Sequence, residues 1–155
     1  MKELTYSWSE VKDNAPILLI EDDDVDVEIV KRAFKRCEIK NQLYVTCNGE
    51  DGLNFLSHNG KYSNEINPRP GVILLDINMP IMNGIEFLKV IKNDDDFKSI
   101  PVVVLTTSGQ PSDVNESFEL GVAGYFIKSL EFDEFTDAVS TISTYWTLSE
   151  LKEVE

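Results

Sequence analysis

Glu21, Asp22, Asp23 and Asp24 follow directly on the apolar run Ile17–Ile20, and Asp76 follows directly on Val72–Leu75. Carboxylates placed at the ends of two strand-length runs can do together what neither does alone. If the two runs are neighbouring strands, Glu21, Asp22 and Asp76 crowd into one place. Like charges so close repel unless a cation joins them. An all-oxygen, carboxylate-rich and incomplete ligand set suits Mg2+, which keeps waters and accepts phosphate oxygens as its remaining ligands. Two more polar groups end apolar runs: the hydroxyl of Thr106 in Val104-Leu105-Thr106-Thr107-Ser108, and the ammonium of Lys128 in Phe126-Ile127-Lys128. A carboxylate nucleophile, a metal, a hydroxyl donor and a lysine are what phosphoryl transfer onto a side chain needs, because metal and lysine neutralise the equatorial oxygens while the hydroxyl binds one of them.

Each residue also has a plainer reading. An acidic run after a strand caps the next helix, a threonine fills a strand, and a lysine snorkels to water. Four such residues at the ends of four different strands favour the site over coincidence. A calcium-binding helix-loop-helix fails, because Asp22, Asp24 and Asp26 are followed by Val27 where glycine is needed, and Ala33 stands at the twelfth position.

The elements that must hold these groups are legible as alternation. The short apolar runs 17–20, 43–46, 72–75, 101–105 and 124–127 are of strand length, and amphipathic stretches separate them. That is the pattern of βα units around a parallel sheet buried on both faces. Val25, Ile29, Ala33, Phe34 and Cys37 recur at helical spacing, as do Ile85, Leu88 and Ile91. Residues 49–58 read as a helix through Leu53 and Leu56, and 59–71 as a loop. Ser112 is the expected N-cap of a fourth helix carrying Val114 and Phe118. A last helix from about Glu131 lines up Phe132, Phe135, Val139, Ile142 and Trp146 as one stripe. The expected fold is a doubly wound, five-stranded parallel α/β sheet, and strand order 2-1-3-4-5 makes strands one and three neighbours where ligands bind.

The chain has 155 residues, 42% hydrophobic, with a formal charge of −14 from 14 Lys and Arg against 28 Asp and Glu. That length suits one domain, expected at residues 16–146, between an N-terminal extension, 1–15, and a tail, 147–155. Excess acid repels phosphate backbones and anionic lipid, so neither nucleic acid nor membrane is an expected partner. Cys37 and Cys47 lack metal or redox spacing and no apolar leader opens the chain, so a cytoplasmic setting is expected. His58 is the one histidine. It rules out a multi-histidine metal cage, and its plain reading is an exposed surface residue.

The sequence resembles the receiver domains of two-component response regulators. The matching pieces are Ile17-Leu18-Leu19-Ile20-Glu21-Asp22-Asp23, the stretch Leu74-Leu75-Asp76-Ile77-Asn78-Met79-Pro80-Ile81-Met82-Asn83-Gly84, Pro101-Val102-Val103-Val104-Leu105-Thr106, and Ala123-Gly124-Tyr125-Phe126-Ile127-Lys128. In order and spacing this is a specific match over about residues 16–145. It looks most like the small single-domain regulators, including those paired with bacteriophytochrome-type kinases.

The resemblance implies a flavodoxin-like receiver fold, with Asp76 as phosphoacceptor, Glu21 and Asp22 as the acidic pair, and Asp22 as the direct metal ligand. It further implies a main-chain carbonyl ligand from Asn78, phosphoryl contacts from Thr106 and Lys128, and a switch formed by Thr106 and Tyr125. The donor would be the phosphohistidine of a sensor histidine kinase or phosphotransfer protein. The output would be a docking surface on helix four, strand five and helix five, for a downstream protein or a second copy. Asn78 and Ser108 would govern water access, and Pro80 and Gly84 the loop after the phosphoacceptor, where glycine offers backbone freedom. Trp146 and residues 147–155 are candidate interface residues. Two positions depart from the pattern: Ser129 stands where proline is usual and Asn83 where Asp is usual.

Two rivals remain. A phosphatase of the haloacid-dehalogenase type would use Asp22 as nucleophile through Asp22-x-Asp24, but no acidic pair at a strand end follows Lys128 to complete that metal site, and Asp76 would be idle. A receiver-like scaffold that is never phosphorylated would leave a complete set of site residues unused.

Overall fold

The structure is a computed structural model and describes residues 15–65, 67–128 and 131–141. Its strands are β1 (Ile17–Ile20), β2 (Leu43–Thr46), β3 (Val72–Leu75), β4 (Val102–Thr106) and β5 (Gly124–Ile127). Helices α1 (Asp24–Arg36), α2 (Gly49–Ser57), α3 (Gly84–Lys92) and α4 (Pro111–Glu119) alternate with them, and α5 covers 132–141. The sheet is parallel throughout, in the order β2-β1-β3-β4-β5, as the strand-end argument requires.

Both faces of the sheet are buried because successive strand residues point to opposite sides. Leu18, Ile20, Ile73, Leu75, Val102 and Val104 join Phe55, Phe87, Leu88 and Ile91 on the α2 and α3 side. Ile17, Leu19, Val72, Leu74, Val103 and Leu105 join Val30, Ala33, Phe34, Phe135 and Val139 on the α1 and α5 side. Continuous apolar runs thus become strands that serve two cores at once. Ala15 belongs to the second core, and its carbonyl accepts from Asn41 Nδ2 at 2.8 Å.

Three local expectations need adjusting. β4 runs one residue later than expected, from Val102 to Thr106, so Thr106 is the last strand residue. Proline 101, which has no N–H, contributes only its carbonyl, which accepts from Ile73 N at 2.9 Å. Ser112 is not the N-cap of α4: Gln110 is, and Pro111 occupies the first turn, where its fixed φ is preorganised and its missing N–H costs nothing. Ser112 therefore lies inside the helix. The loop expected over 59–71 contains a 3-10 turn at Gly60–Tyr62. In the last helix Phe135 and Val139 are buried as the stripe requires, while Ile142 and Trp146 lie outside the described residues.

Candidate functional site

The β1/β3 register dictates where the carboxylates go. Ile20 lies opposite Leu75, so the next residues, Glu21 and Asp76, emerge side by side. The ladder continues through both of them, with Asp76 N donating to Ile20 O at 3.1 Å and Glu21 N donating to Thr46 O at 3.0 Å. Their carboxyls are therefore held by backbone in a fixed relation. Glu21 is 3% and Asp76 7% exposed, and Asp22 is open to solvent. Oxygen atoms of all three lie within 4.8 Å of one another. The rest of the acidic run divides as its positions require: Asp23 caps α1 by accepting from Val25 N at 2.8 Å, and Asp24 and Asp26 fall in the first helical turn, where the dipole favours them.

The cluster's electrostatics are those of a site built for a cation. Burial, and the neighbouring Asp76 carboxylate, push the Glu21 carboxyl up to about 8, against the pull of Lys128. Glu21 Oε2 is fully buried and has no hydrogen-bond partner among the described residues. An orphaned buried oxygen beside two further carboxylates is a donor set that a hard divalent ion fits. Lys128 emerges from β5, its N–H donating to Thr106 O at 2.7 Å, and its ammonium reaches across to donate to Glu21 Oε1 and, at 3.1 Å, to Asp26 Oδ2. Burial alone would lower the Lys128 pKa, but Glu21, Asp76 and Asp26 outweigh it, so the ammonium is held above its ordinary range.

Thr106 is wholly buried at the end of β4, and its Oγ1 accepts from Ser108 N at 3.3 Å. Ser108 is the junction of the β4–α4 loop. Its hydroxyl donates to Asp113 Oδ2 at 2.6 Å, and its carbonyl accepts from the Tyr125 hydroxyl at 2.7 Å. Tyr125, half-buried, is thereby tied to the β4–α4 loop and packs against the α2 and α3 core, and burial pushes its phenol up. Asn78 is exposed in the loop after Asp76. His58, the α2 C-cap, is exposed, with its Nε2–H donating to Asn67 O at 2.9 Å.

Gly84 is required for a reason other than the one expected. Its φ is not among the positive values, but a Cβ there would lie 2.4 Å from Asp76 O and 2.9 Å from Ile77 Cα. The start of α3 packs directly on the backbone that carries Asp76, and only a residue without a side chain fits. The strained residue in this loop is Ile81, at φ 67° and 75% exposed. Positive φ is costly for a β-branched residue. The loop is tied down at its neighbour, where Gly49 N donates to Met82 O at 2.9 Å. The Lys128–Ser129 bond lies outside the described residues.

Sequence reasoning missed two side chains that meet these groups, Asp26 and Asp113. Each falls in the first turn of the helix after a site strand, where the helix dipole alone accounts for an acidic residue, so no local pattern marks it as part of the site.

Sheet order, strand-end carboxylates and buried lysine define a doubly wound α/β domain with an acidic, cation-attracting site at its carboxyl edge. Residues 17–140 match the profile of the response regulator receiver domain, and the chain belongs to that family. It is 41% identical over 130 residues to the response regulator Rcp1 of Synechocystis, covering 84% of this chain and 87% of that protein. Among solved structures it resembles the phosphorylated cyanobacterial phytochrome response regulator RcpA, at 33% identity and TM-score 0.78, covering 86% of this chain and 94% of the other. The Mn(2+)-bound form of Rcp1 matches at 40% identity and TM-score 0.77, with the same coverage. Family membership sets aside the haloacid-dehalogenase alternative. No helix among the described residues is long and apolar enough to cross a membrane.

Proposed function

We propose that this protein is a single-domain response regulator that accepts a phosphoryl group onto Asp76 from the phosphohistidine of a sensor histidine kinase or phosphotransfer protein. The observation that carries this reading is the placement of the buried Asp76 carboxylate in one oxygen cluster with buried Glu21 and exposed Asp22, with Lys128 reaching in from β5. The cation would be Mg2+, which Asp22, Glu21, Asp76 and the main-chain carbonyl of Asn78 would hold, and when bound it would neutralise charge on the phosphoryl oxygens.

An oxygen of ionised Asp76 attacks phosphorus in line, the P–O bond forms as the P–N bond breaks, and the histidine leaves as a neutral imidazole after taking up a proton. Lys128 and Thr106 hold phosphoryl oxygens. The protein catalyses its own modification and, by admitting water past Asn78 and Ser108, its own reset. The phosphoryl group adds about −1.5 to −2 of charge. Thr106 answers by shifting toward it, and the loop at Ser108 carries the change to Tyr125. The altered surface is that of α4, β5 and α5, read by a downstream protein or a second copy. The resemblance to Rcp1 and RcpA supports a phytochrome-type kinase as donor and a cytoplasmic setting. The receiver unit spans residues 16–146, between the extension 1–15 and the tail 147–155.

The test is intact-mass measurement after incubation with Mg2+ and acetyl phosphate. One added phosphoryl group is expected on the wild-type chain and none on Asp76→Asn. Gain that persists in Asp76→Asn and vanishes in Asp22→Asn would overturn the assignment, and no gain with any donor would favour a binding scaffold.

A further inference from the structure

Lys128 is claimed by two carboxylates of different standing. Glu21 is a member of the oxygen cluster, so its second oxygen is committed to whatever occupies that cluster. Asp26 is not. It sits in the first turn of α1, outside the cluster, with a side chain 30% exposed, and accepts from Lys128 Nζ at 3.1 Å. The Lys128 side chain is only 9% exposed, so its ammonium has little water to fall back on and stays with the acceptors it has.

We infer that Asp26 is a positioning residue that tethers Lys128 to α1 in the resting protein and sets how readily the lysine is released to a phosphoryl group on Asp76. This rests on the phosphoacceptor reading above. A lysine ammonium offers three donors, and each held by a carboxylate is one fewer for phosphoryl oxygen. Asp26 can keep its claim whatever the cluster holds, because no cluster atom depends on it. It also adds a negative charge beside the path of an anionic donor, opposing entry and transfer together. The same bond joins β5 to the start of α1, so release of Lys128 is also release of α1 from the lysine.

The experiment compares phosphorylation by acetyl phosphate of the full chain in four forms: wild type, Asp26→Asn, Asp26→Ser and Asp26→Glu, with Mg2+ saturating and ionic strength fixed. In the two forms lacking the carboxylate, the half-saturating donor concentration is expected to fall about three- to tenfold, the range for a charged hydrogen bond partly open to water. Asp26→Glu, which restores a carboxylate within reach, is expected to return it toward the wild-type value. Beryllofluoride titration, followed by the 15N signal of the Lys128 ammonium, reads the tether without turnover. Asp26→Asn should reach the liganded Lys128 shift at lower beryllofluoride than wild type. An unchanged or raised half-saturation in both Asn and Ser forms, or a Glu form that behaves like them, overturns the inference. Failure of the phosphoacceptor reading looks different: the wild-type chain gains no phosphoryl mass, or Asp76→Asn still gains it.

Discussion

Glu21 sits where titration and cation binding meet. Its folded carboxyl titrates near 8 and its unfolded one near 4.5. Between those values the metal-free fold holds a proton that the unfolded chain has released, so the contribution of this group to stability falls as pH rises through that window and is constant above it. A divalent cation requires the ionised form, so Mg2+ binding must expel the proton. Mg2+ affinity is expected to rise by up to about tenfold per pH unit below pH 8 and to level off above it. Calorimetric titration at several pH values checks this, and Glu21→Gln should flatten the profile. At the same scale, Glu21 and Asp76 were legible because they end apolar runs. The tethering of Lys128 by Asp26 was not, since partners 102 residues apart share no local pattern.

The elements hold the site through their ends. α3 begins with a reciprocal capping box: Asn83 Oδ1 accepts from Glu86 N at 2.9 Å, and Glu86 Oε1 accepts from Asn83 N at 3.1 Å. Asn83 itself supplies the cap acceptor, so the helix start is satisfied without a carboxylate at this position. Asn83→Ala is expected to cost about 1 kcal/mol of unfolding free energy, measured by urea denaturation, with the damage concentrated where Gly84 packs on Asp76. Strand positions were readable almost to the residue because four of the five runs are followed directly by a polar side chain, Glu21, Asp76, Thr106 or Lys128. The start of α4 was misread because serine and proline both announce helix starts and Pro111 comes first. The reason for Gly84 was unreadable, because a contact with Asp76 O exists only once α3 has folded back on β3.

Across the whole molecule, a charge of −14 on 155 residues works against compactness and draws cations to the surface. The metal-free protein should therefore gain stability as NaCl rises from a few millimolar to about 0.15 M, as screening shortens the reach of that repulsion to about 8 Å. Thermal denaturation across a salt series reads this directly, and a melting temperature that falls with salt would show that local ion pairs such as Arg36–Asp133 outweigh the net repulsion. Composition made the self-repulsion legible, but not its partition: only Glu21 and Asp76 of the acidic groups singled out are buried, while Asp23, Asp24 and Asp94–Asp96 face water or lie near it.

The lysine that reaches Glu21 lies 107 residues further along the chain, at the end of the last strand. The site is therefore among the last things the chain can make. A nascent or truncated copy that lacks β5 has carboxylates with no ammonium to meet them, and a chain with β5 mispaired places Lys128 elsewhere. On the proposed phosphoacceptor function, chemical competence also reports folding of the sheet: copies able to engage a phosphodonor would be those in which β5 has paired with β4. Expression or refolding yield can be scored by the fraction of protein that takes up beryllofluoride, without a separate structural probe.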